Sequence, residues 1–272
     1  MVTPIFELTG QIIAITGAAG LLGRQHAAAV CEAGGVPVLL DVDEQGLAAA
    51  SAQLGDVGYR HAAFTVDLTS ESAVKALAGR IRDEVGLVSG LVNNVAANPP
   101  MDAAEAATSR METYPLEQWD MDLSLGLTTA FLCAREFGQQ MVEIGGGSIV
   151  NIASDLAVIA PDQRIYRQEL LRDQEQPVKP VTYAVTKAGL LGLTRYLATY
   201  WTPVPVRCNA LLPGSVRGTQ SSSMVAELET RIPLGRLARP SEYKGGLVFL
   251  LSEASAYMTG SLLIMDGGRT AW

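Results

Sequence analysis

One stretch limits the fold more than any other. The apolar run Gln11-Ile12-Ile13-Ala14-Ile15-Thr16 passes directly into Gly17-Ala18-Ala19-Gly20-Leu21-Leu22-Gly23, and a helical pattern then continues through Cys31. A short apolar run bounded by glycines reads as a buried strand. A strand, a glycine turn and a helix in immediate succession form the opening unit of an α/β fold. Each glycine can serve a separate purpose. One permits the tight turn, one lets backbone approach a pyrophosphate, and one lets helix and strand pack closely. The helix N-terminus adds unpaired N–H groups and positive potential for phosphates. A plain strand–helix turn would also use glycines, so the motif alone leaves both readings open.

The rest of the chain repeats the unit. Further strands are expected at 36–40 (ending at Asp41), about 60–66, 87–93, 148–153, 205–212 and 261–265, with helices between them. The helices include 70–85 with Ser70 as N-cap, a long one at 116–144, one from 182 to before Pro203, and one at 240–251. Regular alternation predicts one doubly wound parallel sheet of about seven strands with helices on both faces, a single domain over 1–272. The rhythm breaks at about 155–181, which is rich in Pro, Gln, Arg and Asp. We read it as an inserted, partly exposed loop with one helical turn.

Composition narrows the function classes. The chain is 48% hydrophobic and 18% charged, so it can bury a sizeable core, and its net charge of −8 comes without a basic run. Nucleic acid is therefore excluded as a partner. Cys31, Cys133 and Cys208 are far apart and show no metal-ligand spacing, so they read as buried apolar residues and no metal site is expected. No stretch of 18 or more apolar residues occurs, and no signal peptide opens the sequence. A soluble cytoplasmic protein without a membrane partner is expected. His26 and His61 read as structural.

Asp41 lies 18 residues after Gly23 (41 − 23) at the end of the second strand. A carboxylate there accepts hydrogen bonds from ribose hydroxyls and repels a 2′-phosphate, which points to NAD rather than NADP. A solvated turn beside Asp43 is the competing reading. Tyr183-Ala184-Val185-Thr186-Lys187 puts a phenol and an ammonium on one helix face. A free tyrosine has a pKa of about 10. A nearby cation favours the phenolate, so such a tyrosine can exchange a proton with an alcohol or carbonyl.

These motifs together resemble the short-chain dehydrogenases/reductases over essentially the whole length. The Thr16–Gly23 turn is similar to that family's cofactor turn, although the middle glycine sits at 20, with Leu21 where many members carry it. Asp67-Leu68 resembles the family's Asp after the third strand, which holds the adenine. Asn93-Asn94-Val95-Ala96 resembles its Asn-Asn-Ala-Gly, and Pro213-Gly214 its Pro-Gly beside the nicotinamide. Asp266-Gly267-Gly268 resembles its closing Asp-Gly-Gly. The resemblance implies Ser154, Tyr183 and Lys187 as catalytic residues. It implies Gly17, Gly20, Leu22, Gly23, Asp41, Asp67, Leu68, Asn94, Tyr183, Lys187, Pro213 and Gly214 as cofactor contacts. Hydride transfer between NAD(H) and a secondary alcohol or ketone is the expected reaction.

Two departures stand out. The family's asparagine in the long helix falls on Gly126, which keeps the backbone carbonyl and loses the side chain, so the proton relay is weakened or passes to another group. Ser154 and Tyr183 are 29 positions apart (183 − 154), about twice what members usually need. The excess should lie over the substrate, and its polar content suggests a hydroxylated or anionic substrate such as a sugar or sugar phosphate. A similar insertion resembles bacterial members in surface-sugar pathways. Two other readings remain open at this point: a dinucleotide-binding regulator or scaffold with little catalysis, favoured by Gly126, and an epimerase or dehydratase that returns the hydride. The resemblance also implies a homo-oligomer, a tetramer or dimer, with the long helix and its successor paired across an interface. The segment ending in Arg269–Trp272 is expected to meet a neighbour.

Overall fold

The computed structural model describes residues 4–98, 106–168 and 171–272. Seven parallel strands form one sheet in the order β3-β2-β1-β4-β5-β6-β7. The strands are β1 (Ile12–Thr16), β2 (Val36–Asp41), β3 (Ala62–Thr65), β4 (Gly90–Asn93), β5 (Gly147–Ile152), β6 (Val206–Pro213) and β7 (Leu262–Met265). Helices α1 (Leu21–Glu32), α2 (Glu44–Gly55) and α3 (Glu71–Glu84) alternate with the first four strands. Then come α4 (Ala106–Ser109), α5 (Leu116–Leu123), α6 (Thr129–Glu143), α7 (Val181–Tyr200), α8 (Ser222–Glu229) and α9 (Lys244–Leu251).

Successive strand residues face opposite sides of a sheet. Ile13 and Ile15 accordingly join Val30, Leu47 and Leu247, from α1, α2 and α9, on one face. Ala14 joins Val74, Ile81, Phe137 and Met141, from α3 and α6, on the other. Burial on both faces explains why the strands read as continuous apolar runs. Strand order reverses between β1 and β4, which opens a crevice at the carboxyl ends of the strands.

The structure refines three expectations. The long helix is interrupted by a single π turn at Ser124–Thr128. Helix α8 was not expected, although Ser221 Oγ caps it by accepting from Met224 N. The described residues of the insertion hold three short 3-10 turns, Asp155–Ala157, Gln163–Tyr166 and Asp173–Glu175, where one helical turn was expected. Ser70 caps α3 as anticipated, its Oγ accepting from Ala73 N.

Candidate active site

The crevice between β1 and β4 is floored by the glycine turn. Gly17 has φ +65°, a conformation that L side chains rarely adopt. At Gly23 an added Cβ would lie 2.1 Å from Gly17 O and 2.7 Å from Ala18 Cα, so any side chain would push α1 off the strand. Gly20 is the N-cap of α1 and offers no side-chain cap. The first N–H groups of α1, including that of Leu22, therefore remain for an anion. Two side chains brace the turn. Asp41 Oδ2 accepts from Ala19 N at 2.9 Å. Asn94 Nδ2 donates to Thr16 O and Gly17 O, both at 3.1 Å. This cradle fits the pyrophosphate and adenosine ribose of a dinucleotide.

The remaining cofactor candidates line the same edge. Asp67, just past β3, is exposed and folds onto Thr69, whose N–H and Oγ1 both donate to Oδ1. Those bonds hold its carboxyl below the usual range. Leu68 is buried. Pro213 ends β6, and Gly214 N donates to Met265 O at 3.0 Å, beside Asp266, which accepts from Gly268 N and Thr270 N.

Ser154 follows β5, and Tyr183 and Lys187 rise from the first turns of α7. Lys187 is buried, and its Nζ donates to Ile152 O at 2.7 Å, which ties α7 to the end of β5. Tyr114 Oη donates to Asp122 Oδ2 at 2.6 Å, and Thr182 Oγ1 donates to the same oxygen, so α5 fixes the start of α7. Burial pushes the Tyr183 phenol up, its polar interaction with Ser154 draws it down, and the Asp155 carboxylate pushes it up. The expected lowering by Lys187 is not what dominates here. Its ammonium is spent on Ile152 O and stands 5.9 Å from the ring centroid, and burial, then Lys179, bring Lys187 itself down to about 8.

The described residues of the insertion pack and pair as follows. Ile165 packs with Val225, Leu228, Ile232 and Leu237 in a small satellite core. Asp162 accepts from both Arg164 and Arg231, which bridges the insertion to the segment after α8. Arg167 pairs with Asp173, and Arg172 with Glu175. The charges that suggested an anionic substrate are thus largely engaged with one another. Lys179 reaches the site instead, its Nζ 4.0 Å from the Tyr183 ring centroid. Tyr166 stands within electrostatic reach of Tyr183 and Arg269, and burial raises its phenol to about 12.

Beside Ser154 lies an ion pair that the sequence did not reveal. Asp155 Oδ1 accepts from Ser154 Oγ at 2.9 Å and from Leu156 N at 2.8 Å. Its Oδ2 accepts from Arg269 Nη1 at 2.8 Å, and both side chains are buried. Arg269 thus turns its guanidinium into its own chain.

A family model described as short chain dehydrogenase matches residues 11–166. D-threitol dehydrogenase from Mycolicibacterium smegmatis is 32% identical over 270 residues, 97% of this chain and 95% of its own. The chain belongs to the short-chain dehydrogenase family. This short-chain dehydrogenase is accordingly an oxidoreductase. Its residues 173–270 also match a model described as Enoyl-(Acyl carrier protein) reductase. An NAD-dependent glycerol dehydrogenase from Listeria innocua is 30% identical, over 97% of this chain and 96% of its own. The solved gluconate 5-dehydrogenase from Burkholderia cenocepacia J2315, in complex with NADP and tartrate, superposes with a TM-score of 0.84 at 25% identity, over 98% of each chain.

Within this family member Gly126 sits in the π turn, buried against α7. A Cβ added there would lie 3.0 Å from Thr186 Cβ and 3.1 Å from its Cγ2. Thr186 cannot easily yield, since its Oγ1 donates to Thr182 O at 2.8 Å. Restoring the family's asparagine by Gly126→Asn is therefore expected to cost about 1–3 kcal/mol through overpacking, with no gain in turnover. Denaturant midpoints and kcat measured side by side check this, and a faster enzyme of unchanged stability would contradict it. His26, fully buried, has no ring-nitrogen partner among the described residues, and burial lowers it to about 3. His61 bonds Ser51 Oγ and Tyr59 O. Among the described residues no cluster suits a metal ion, and no helix is long and apolar enough to cross a membrane.

Proposed function

We propose that this chain is an NAD-dependent dehydrogenase of secondary alcohols on polyhydroxylated substrates. A single domain over 1–272 carries the activity, with the insertion at 155–181 as its substrate loop. One observation carries the reading: Tyr183 and Lys187, on one face of α7, meet Ser154 beyond β5, at the carboxyl edge of the sheet and beside the glycine cradle.

Bound nicotinamide supplies the hydride acceptor or donor. Ser154 Oγ holds the reacting oxygen, and Tyr183 Oη takes the hydroxyl proton during oxidation or returns it during reduction. Lys187, anchored on Ile152 O, keeps a positive charge beside the phenol as charge develops on it. Gly17, Gly20, Leu22 and Gly23 would receive the pyrophosphate, Asp41 the adenosine ribose, and Asp67 and Leu68 the adenine. Asn94, Pro213 and Gly214 would line the way to the nicotinamide. The polyol and sugar-acid dehydrogenases among the relatives support a polyhydroxylated substrate.

The choice of NAD rests on Asp41. Its half-buried carboxylate closes β2 against the glycine turn and would repel a 2′-phosphate, and Arg24 has Nε and Nη2 committed to Ala19 O and Gly46 O. We expect NAD to exceed NADP by at least about tenfold in kcat/KM, near 1.4 kcal/mol, and Asp41→Ser to erase that preference. A wild-type enzyme that favours NADP would overturn the assignment. The test of the activity itself is NADH formation by the purified protein with polyols, sugars, sugar acids and sugar phosphates. Release of NADH in proportion to product separates this reading from one in which the hydride returns to the substrate. A homo-oligomer, dimer or tetramer, is supported by aromatic side chains exposed on the two long helices: Phe131 on α6, and the stacked pair Tyr196 and Tyr200 on α7.

A further inference from the structure

Lys179 is an expensive residue to keep where it is. It is only 8% exposed, and burial alone brings its ammonium down to about 8. Among the described residues it has no carboxylate partner. Its Nζ donates to the neutral Asn98 Oδ1 and lies over the Tyr183 ring. Burying a cation without a counter-charge is unfavourable, and proteins ordinarily pair or expose such a group.

Its position is nevertheless well secured. Gln163 Oε1 accepts from Lys179 N at 2.8 Å, so the insertion holds the lysine's backbone. Pro180 follows, and α7 starts at Val181. The other described charges of the insertion are paired. Asp162, Arg164, Arg167, Arg172, Asp173 and Glu175 pair within the insertion or with Arg231, and Arg269 is balanced by Asp155. Among the described residues neither Lys179 nor Lys187 pairs with a carboxylate, and both ammonium groups stand near the ring of the tyrosine that handles the substrate's proton.

We propose that Lys179 forms a subsite for an oxyanion carried by the substrate, a carboxylate or a phosphate, so that the enzyme selects acidic polyhydroxylated substrates over neutral polyols. This deepens the dehydrogenase reading above and rests on it. An anion arriving at Nζ restores the missing counter-charge inside a site of low dielectric, where a charge-assisted hydrogen bond is strong. The insertion then acts by delivering one charge at a fixed place beside Tyr183, while its own polar residues hold it in shape.

The experiment compares kcat/KM with NAD for D-gluconate, D-glucitol 6-phosphate and D-glucitol in wild type, Lys179→Met and Lys179→Arg, with calorimetric binding of D-gluconate and D-glucitol 6-phosphate to the enzyme–NADH complex. Wild type should prefer at least one of the two anions. Lys179→Met should lower the anion-to-polyol ratio about 30-fold, the scale of a hydrogen bond to a charged group, and Lys179→Arg should recover much of it. A change confined to gluconate identifies a carboxylate, and one confined to the phosphate ester identifies a phosphate. A wild type that prefers glucitol overturns the subsite, a result that stands even where the variants do not fold. An unchanged ratio in Lys179→Met, or equal losses on all three substrates, overturns it and leaves the dehydrogenase reading intact. Anion binding that Lys179→Met abolishes, without NADH from any of the three, sustains the subsite and counts against the dehydrogenase reading. Absence of both overturns the subsite.

Discussion

Tyr183→Phe is expected to lower NADH formation about a thousandfold, within the 10²–10⁴ range typical of a positioned acid–base group, while the protein still captures NAD. The two effects separate because the phenol and the glycine cradle are held independently. Asn94 and Asp41 brace the turn at Gly17–Ala19, whereas Tyr183 is placed by α7, which Lys187 ties to Ile152 and Thr182 ties to Asp122. Removing one hydroxyl leaves both supports in place. The loss should appear in kcat on the best substrate found, with dinucleotide affinity followed by fluorescence titration. Turnover within about tenfold of wild type would assign the proton transfer to another group.

Arg269→Met should produce the largest change in stability. It would leave the Asp155 carboxylate buried without its cation, and breaking a buried pair in this way costs about 3–5 kcal/mol. Asp155 also accepts from Ser154 Oγ, so the serine would be disturbed and turnover should fall with stability. The double variant Asp155→Asn/Arg269→Met removes the stranded charge, and Asn keeps an acceptor for Ser154 and Leu156 N. It should therefore recover part of the stability and activity lost in Arg269→Met. Urea unfolding of the three proteins with a common slope checks the order. A double variant less stable than Arg269→Met would show that the interaction is worth less than the desolvation argument assigns to it.

The sheet was legible because parallel strands covered on both faces must be apolar throughout, and glycine or polar segments punctuate them. Tyr183 and Lys187 were legible because both lie on one helix, where spacing fixes direction. Asp155 and Arg269 meet across 114 residues, and no local pattern announces such a pair. Composition singled out the segment at about 155–181, and its charges were read as facing a substrate. In the folded chain they are mostly paired with each other, and Ile165, one apolar residue among polar neighbours, anchors the segment against α8. Lys179 escaped notice because a lone lysine before a proline looks like surface, and only packing reveals it as buried. The π turn around Gly126 had no signal, since it fits within the same apolar periodicity as the helices on either side.

The Asp155–Arg269 link also separates holding the coenzyme from using it. The bonds that brace the glycine turn join β1 to β2 and to the residue after β4, all within the first hundred residues. The setting of Ser154 depends as well on the segment just past β7, which carries Arg269 inward. Any lesion that loosens β7 would leave a protein that holds its coenzyme but cannot use it.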